Sequence, residues 1–336
     1  MKSEKTKNRK KNLLFACLLT ISVFACERAN NHPAEQDVDT TFVGKHGQLA
    51  VKGASLTDRN GDTIVLRGVS LGWHQWWPRF YAKETVEWLK KDWKPNLLRA
   101  AIGVEPDGAY LRQPEKAMQC LTTVIDAAIE NDMYAIIDWH AHYIHLEEAK
   151  TFFTQIATKY KDTPNIFYEI FNEPWDDMPW PDVKAYSIEI IKTIRSIDKD
   201  NIILVGSPHW DQDVHIVADD PITGYDNIMY TLHFYAATHK QDLRNKAAYA
   251  LSKGLPLFVS ECAGMEASGD GLIDQMEWSS WLQWMDEHRL SWVAWSISDK
   301  DETCSMIKSP ASPASNWTDN DLKEWGLQIR KIMREN

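Results

Sequence analysis

The chain predicts an α/β protein built as a closed parallel (β/α)8 (TIM) barrel with a short N-terminal β-hairpin in front of it. Three observations carry this prediction. Short β-branched runs recur eight times, longer amphipathic runs separate them, and from residue 42 to residue 336 there is no Pro/Ser linker, low-complexity run or break in composition. The stretch of roughly 295 residues is the size of one barrel rather than two domains.

Residues 49–65 (LAVKGASLTDRNGDTIV) read as two short strands joined by a turn at Asn60 and Gly61, a hairpin placed to cap the barrel floor. The eight barrel strands fall at 64–70, 97–102, 134–138, 166–171, 202–205, 228–233, 257–260 and 292–296. Apolar residues recur with helical spacing at 84–92, 115–131, 146–161, 183–197, 242–252 and 275–288. A doubly wound open sheet is the rival arrangement, but no G-x-G-x-x-G follows the first strand and the length favours a barrel.

The ends of the chain differ in character. Lys2, Lys5, Lys7, Arg9, Lys10 and Lys11 precede the apolar stretch 13–25, the pattern of a secretory signal. That stretch ends V-F-A-C at Cys26, which resembles the lipobox of bacterial lipoproteins, so residues 1–25 are expected to be removed and Cys26 to carry a lipid anchor in the cell envelope (periplasm or cell surface); ordinary cleavage elsewhere is the alternative. Residues 26–41 are polar and aperiodic and read as a flexible tether, leaving 42–336 as the barrel domain. The net charge of −11 gives no electrostatic reason to expect a nucleic-acid partner. Cys120, Cys262 and Cys304 remain beyond the signal; an odd three without C-x-x-C is neither a disulfide framework nor a zinc ribbon. The 16 Trp residues stand out, and although each alone reads as core filler, so many indicate that several line a groove where flat rings stack on sugars.

In such a barrel, chemistry belongs at the C-terminal strand ends. Arg99 lies in the second strand, His140 follows the third, Asn172 and Glu173 follow the fourth, His233 and Tyr235 close the sixth, Glu261 follows the seventh, and Trp295 lies in the eighth. Glu173 and Glu261 therefore face each other across the barrel mouth, and a pair of carboxyls flanking a bond is what glycoside hydrolysis requires. Either Glu alone reads as a solvated loop residue; both together in this company read as a site.

The segments LLRAA, IIDWH, YEIFNEP, YTLHFYAATH, PLFVSE and SWVAWSISDKDE resemble, in order, those of glycoside hydrolase family 5 endo-β-1,4-glucanases of the bacterial cellulase group. The resemblance implies Glu173 as general acid/base, Glu261 as nucleophile, Asn172 on the sugar 2-hydroxyl, Arg99 beneath the nucleophile, Tyr235 as its hydrogen-bond donor, His233 beside the acid and His140 at the cleavage subsite. It further implies Trp295 as the floor of that subsite, Trp76 and Trp210 as platforms on either side, and Lys300 facing substrate. Retention of anomeric configuration, carboxyls about 5–5.5 Å apart, no metal or organic cofactor, a β-glucan substrate and a monomer complete the expectation.

The chain departs from the family at Gly72, Gly103 and Cys262, where many relatives carry a His, an aromatic and a Trp; His74 and Trp73 are candidates to substitute. Which glucan is preferred stays open, a family 5 mannanase or xyloglucanase included, as do a Cys262–Cys304 disulfide and a calcium ion on the acidic loop 211–213. A metal site at His140, His142 and His145, a Cys262 nucleophile and a non-catalytic glycan-binding lipoprotein are the other readings. They are disfavoured, respectively, by the strand on which H-x-H falls, by the absence of a His base, and by the presence of both glutamates.

Overall fold

The computed structural model describes residues 40–308, 310 and 312–335; the expected signal segment, Cys26 and nearly all of the tether lie outside the described residues. Strands β3 (Arg67–Leu71), β4 (Leu97–Gly103), β5 (Tyr134–His140), β6 (Ile166–Glu169), β7 (Ile202–Val205), β8 (Ile228–Tyr235), β9 (Leu257–Ala263) and β10 (Trp292–Ile297) pair in parallel and close, β10 on β3, into the eight-stranded barrel that the sequence predicts. Helices follow the strands, among them Pro114–Glu130, which starts on a proline, and Gln275–Glu287, where Asp274 accepts from the Glu277 N–H as N-cap. No helix among the described residues is long and apolar enough to cross a membrane.

The hairpin forms from β1 (Ala50–Lys52) and β2 (Ser55–Thr57), with its turn at Gly53 and Ala54 rather than at Asn60 and Gly61. The reason is local. Gly53 takes the left-handed φ of 59° that a two-residue turn needs, whereas Asp58 Oδ1 accepts from the N–H groups of Asn60 and Asp62 and closes 58–62 into a separate loop. That loop returns the chain so that Thr57 bridges Thr63, and Ile64 and Leu66, expected in the first barrel strand, are spent in the floor instead.

Two apolar layers hold the barrel. The outer lies between strands and helices; the inner fills the lower barrel with Leu97, Ile136, Phe167, Leu204, Met229, Phe258 and Val293, and merges with Leu49 and Leu56 of the cap. Phe167 packs 5.7 Å from Phe258 and 6.2 Å from Tyr134, ring centre to ring centre. Side chains alternate along a strand, so the next inward position above each member of this plug is also fixed. Leu97 leads to Arg99, Ile136 to Asp138 and then His140, Phe167 to Glu169, and Met229 to Thr231, His233 and Tyr235. The apolar plug thus ends where a polar layer begins.

Strand β9 breaks the alternation. Thr231 pairs with Phe258 but His233 pairs with Glu261, and on the other side Trp292 pairs with Val259 but Ala294 with Cys262. One extra residue in β9 on both sides is a bulge at Ser260 and Glu261. Both of these side chains are thereby delivered to the barrel interior, and Cys262 to the outer layer.

Candidate active site

Arg99 is the hub of the polar layer. Its fully buried guanidinium donates from Nε to Glu169 Oε2 at 2.7 Å, from Nη2 to Asn172 Oδ1 at 2.7 Å, and from Nη1 to Glu261 Oε2 at 3.0 Å, with Asp138 Oδ2 2.9 Å from Nη2. Only a planar fork with five donors serves so many acceptors. Burial works against its charge, but Asp138, Glu169 and Glu261 outweigh it and hold the cation firmly. In return, burial raises the Glu169 carboxyl but Arg99 and His233 bring it down to about 2. Asp138 goes the other way, burial prevailing with help from Glu169 and Glu261 over Arg99, so its carboxyl sits well above the usual range. Its Oδ2 lies 2.6 Å from His140 Nδ1, and burial together with the Arg99 charge keeps that imidazole neutral.

Above the hub stand the two glutamates. Tyr235 donates its OH to Glu261 Oε1 at 2.7 Å, and His233 Nδ1 lies 3.0 Å from Glu173 Oε1 while its Nε2 lies 2.9 Å from Ser260 Oγ. One oxygen of each carboxyl and a His233 nitrogen lie within 4.8 Å of one another. Glu173 and Glu261 titrate as one unit. His233, although disfavoured by burial, is held protonated by Asp211, Glu169 and Glu173; with that cation in place, the burial that raises Glu173 is outweighed and the group sits low. Burial and the Glu173 charge then push Glu261 up. If the ring gives up its Nδ1 proton the order reverses, because Arg99 and Tyr235 both donate to Glu261 and Nδ1 becomes an acceptor for a protonated Glu173. The charge on His233 decides which carboxyl holds the proton.

Asn172 accepts from Arg99 through Oδ1, and its buried Nδ2 has no partner, a donor left for a substrate hydroxyl. Aromatic rings flank this centre. Trp295 stacks on His140 at 5.4 Å and 5°, and Trp73 meets the same imidazole edge-on at 4.2 Å. Trp73 continues to Trp76, half exposed, at 4.8 Å. A hollow there is lined by Trp76, Trp77, Trp295 and Lys300, whose ammonium pairs with Glu302. On the other side a cavity of about 560 Å³ is lined by Glu173, Trp210, His233 and Tyr235, and Trp210 lies 5.6 Å from Trp175.

His74 is the expectation that fails: it is fully buried, its Nδ1 accepts from Gly103 N–H at 3.1 Å, and it has no face for a sugar. Trp73 occupies the place instead. A Cβ at Gly103 would fall 2.7 Å from Trp73 Cε3, and one at Gly72 would fall 2.9 Å from Trp77 Cε3; the two departures make room for loop tryptophans. The histidines of the H-x-H segment do not converge. His140 engages Asp138, His142 Nδ1 lies 3.1 Å from Glu173 O, and His145 faces Glu105. Glu173, His233 and Glu261 are the close-set group among the described residues, and both nitrogens of His233 are engaged within the protein. Cys262 and Cys304 are free thiols, Cys262 donating to Val293 O from outside the barrel, so no disulfide joins them. Asp211 turns inward rather than to a surface cation site. Sequence reasoning passed over Asp138, Glu169, Asp211 and Ser260; the period-two register from Ile136 and Phe167 was the available signal for the first two.

Two carboxyls this close at the C-terminal mouth of a barrel, in an aromatic-lined trough, define a glycoside hydrolase. The family model of cellulase (glycosyl hydrolase family 5) matches residues 57–301, and the chain belongs to that family. It is 39% identical to an endoglucanase of Clostridium saccharobutylicum over 96% of this chain and 72% of that one. A solved structure from Cytophaga hutchinsonii is 44% identical with a TM-score of 0.86, covering 88% of this chain and 97% of its own. The catalytic domain of Thermobifida fusca endoglucanase Cel5A, in complex with cellotetraose, is 30% identical with a TM-score of 0.82 over 88% and 99%. The chain spans between 57% and 72% of the lengths of the curated relatives it matches.

Proposed function

We propose that the protein is a retaining endo-β-1,4-glucanase acting on cellulose-type or mixed-linkage β-glucan, as a monomer and without a cofactor. The observation that carries this reading is the spacing of Glu173 and Glu261, within 4.8 Å oxygen to oxygen, which leaves no room for the intervening water that an inverting pair needs. The Glu261 carboxylate, held by Arg99 and Tyr235, attacks the anomeric carbon; the glycosidic C–O bond breaks and Glu173 gives its proton to the leaving oxygen. Water then attacks the glycosyl ester from the leaving-group side, Glu173 takes its proton, and the bond to Glu261 breaks. Asn172 donates to the 2-hydroxyl, His140 lies beside the sugar over Trp295, and Trp76, Trp210 and Lys300 hold the flanking glucose units. The endoglucanase and cellotetraose-bound relatives support the substrate class.

The test is hydrolysis of carboxymethylcellulose, barley β-glucan, xyloglucan and glucomannan, with first-formed anomers followed by NMR. β-1,4-Glucan cut with β-anomer formed first is the expected result. First-formed α-anomer overturns the mechanism, faster cutting of xyloglucan or glucomannan overturns the substrate, and binding without cutting makes the protein a glycan receptor. We further propose anchorage to the cell envelope through Cys26, on the signal-like residues 2–25. Cys26→Ser should move the protein from the membrane to the soluble fraction; a wild-type protein already soluble would reject the anchor.

A further inference from the structure

We propose that Asp211 is a positioning residue for proton transfer: with Ser260 it fixes the His233 imidazole as the Nε2–H tautomer in the acid step, so that a bare Nδ1 faces Glu173 and this carboxyl keeps the proton it has to give. The inference rests on the reading of Glu173 as general acid.

Asp211 ends a turn of unusual backbone. His209, Trp210 and Asp211 are consecutive non-glycine residues with φ of 59°, 51° and 62°, a left-handed run that persists only where its surroundings impose it. Part of what imposes it is the Asp211 side chain, which accepts from Ser207 N–H through Oδ1, with Trp210 N–H donating to Pro174 O at 3.0 Å. The result is a fully buried carboxyl whose second oxygen, Oδ2, has no hydrogen bond and faces His233 Nε2 at 3.3 Å. A buried carboxylate oxygen without a donor is costly, and the N–H of His233 is what lies before it.

The ring is enclosed on every side. Glu173 faces Nδ1; Ser260 at 2.9 Å and Glu169 at 3.7 Å share the Nε2 side with Asp211; Glu261 stands on the adjoining strand, and Asp138, His140 and Arg99 lie across the barrel. Arg99 is bonded to Glu169 and Glu261, which leaves Asp211 and Glu173 to settle the proton of His233. A ring carrying a proton on Nδ1 donates to Glu173 and keeps it ionised, with nothing to give the leaving group. A ring protonated on Nε2 alone accepts from Glu173. An anion behind an imidazole that fixes which nitrogen carries the proton is the logic of the Asp–His pair in acyl-transfer triads.

Asp211→Asn tests this, because the amide can present N–H to Nε2 and so favour the opposite tautomer. Substrates separate proton transfer from everything else: cello-oligosaccharides leave as poor alkoxides and need the acid, whereas 2,4-dinitrophenyl β-cellobioside does not. The expected result is a fall in kcat/KM of about 100-fold on cellotetraose, at least tenfold larger than the fall on the activated aryl glycoside, with the alkaline limb on cellotetraose moved to lower pH because an anion has been removed. Equal losses on both substrates with an unmoved limb mean that Asp211 only supports the fold, and overturn the proposal. Glu173→Gln, run beside it, should show the same substrate dependence in exaggerated form; if it does not, the acid assignment itself falls, and if it does while Asp211→Asn does not, only the Asp211 proposal falls. In the wild type, histidine 15N shifts of the trapped 2-fluoro-glycosyl enzyme, assigned by His233→Asn, should give a neutral ring protonated at Nε2; a proton on Nδ1 there overturns the proposal whatever the variant does.

Discussion

Glu261→Ala should lower turnover of β-1,4-glucan by about 10⁴- to 10⁶-fold, the scale on which loss of a covalent nucleophile is felt. The side chain has no stand-in: it sits on the β9 bulge with Arg99 at 3.0 Å and Tyr235 at 2.7 Å, and no other carboxyl can reach the same face of a bound sugar without leaving that cradle. The vacated space makes the assignment checkable. With an activated aryl cellobioside and added azide, the small anion takes the place of the carboxylate and Glu261→Ala should release α-cellobiosyl azide, formed by one inversion. Glu173→Ala keeps the nucleophile, so azide should capture the glycosyl ester and give the β-azide. If the two variants give each other's products, the roles of the glutamates are exchanged; if neither gives any azide, the covalent route is wrong.

The barrel was readable because its strands are short apolar runs at regular spacing, and the polar layer because period two carries Leu97 to Arg99 and Phe167 to Glu169. What could not be read were features that violate the period or depend on distant packing. The bulge at Ser260 and Glu261 turns two successive residues inward, which no alternation predicts. The hairpin turn went to Gly53 because Asp58 drew the Asn60–Gly61 stretch into its own loop. His74 resembled a substrate contact by its place in sequence, yet the glycine at 103 opens the cleft wall to Trp73 and leaves His74 behind it. Asp211 followed a tryptophan in a loop and carried no sign of burial; its inward turn exists only because three residues take left-handed dihedrals.

The largest effect on stability is expected from Arg99. Arg99→Met keeps the length of the side chain but leaves Asp138, Glu169 and Glu261 buried without their cation, a change costing about 3–5 kcal/mol and a fall in Tm of about 6–15 °C for a domain of this size. Arg99→Lys restores a charge but not the fork: one ammonium cannot serve Glu169, Asn172 and Glu261 together. It should lose less stability and still lose about 100-fold in kcat, through the released Glu261 and Asn172. The pH dependence separates charge from packing. In the wild type Glu169 is held at about 2 against an ordinary 4.5, so its contribution is complete above 4.5 and is lost as pH falls through 2. Without Arg99 burial dominates and the folded-state value rises above the unfolded one, so the contribution changes sign: the orphaned carboxyls then favour the fold when protonated and weaken it as pH rises. Thermal unfolding from pH 7 down to pH 4 should therefore narrow the gap between Arg99→Met and the wild type. A gap that stays constant across that range would assign the loss to packing and remove the Arg99 cation from its central place in the site.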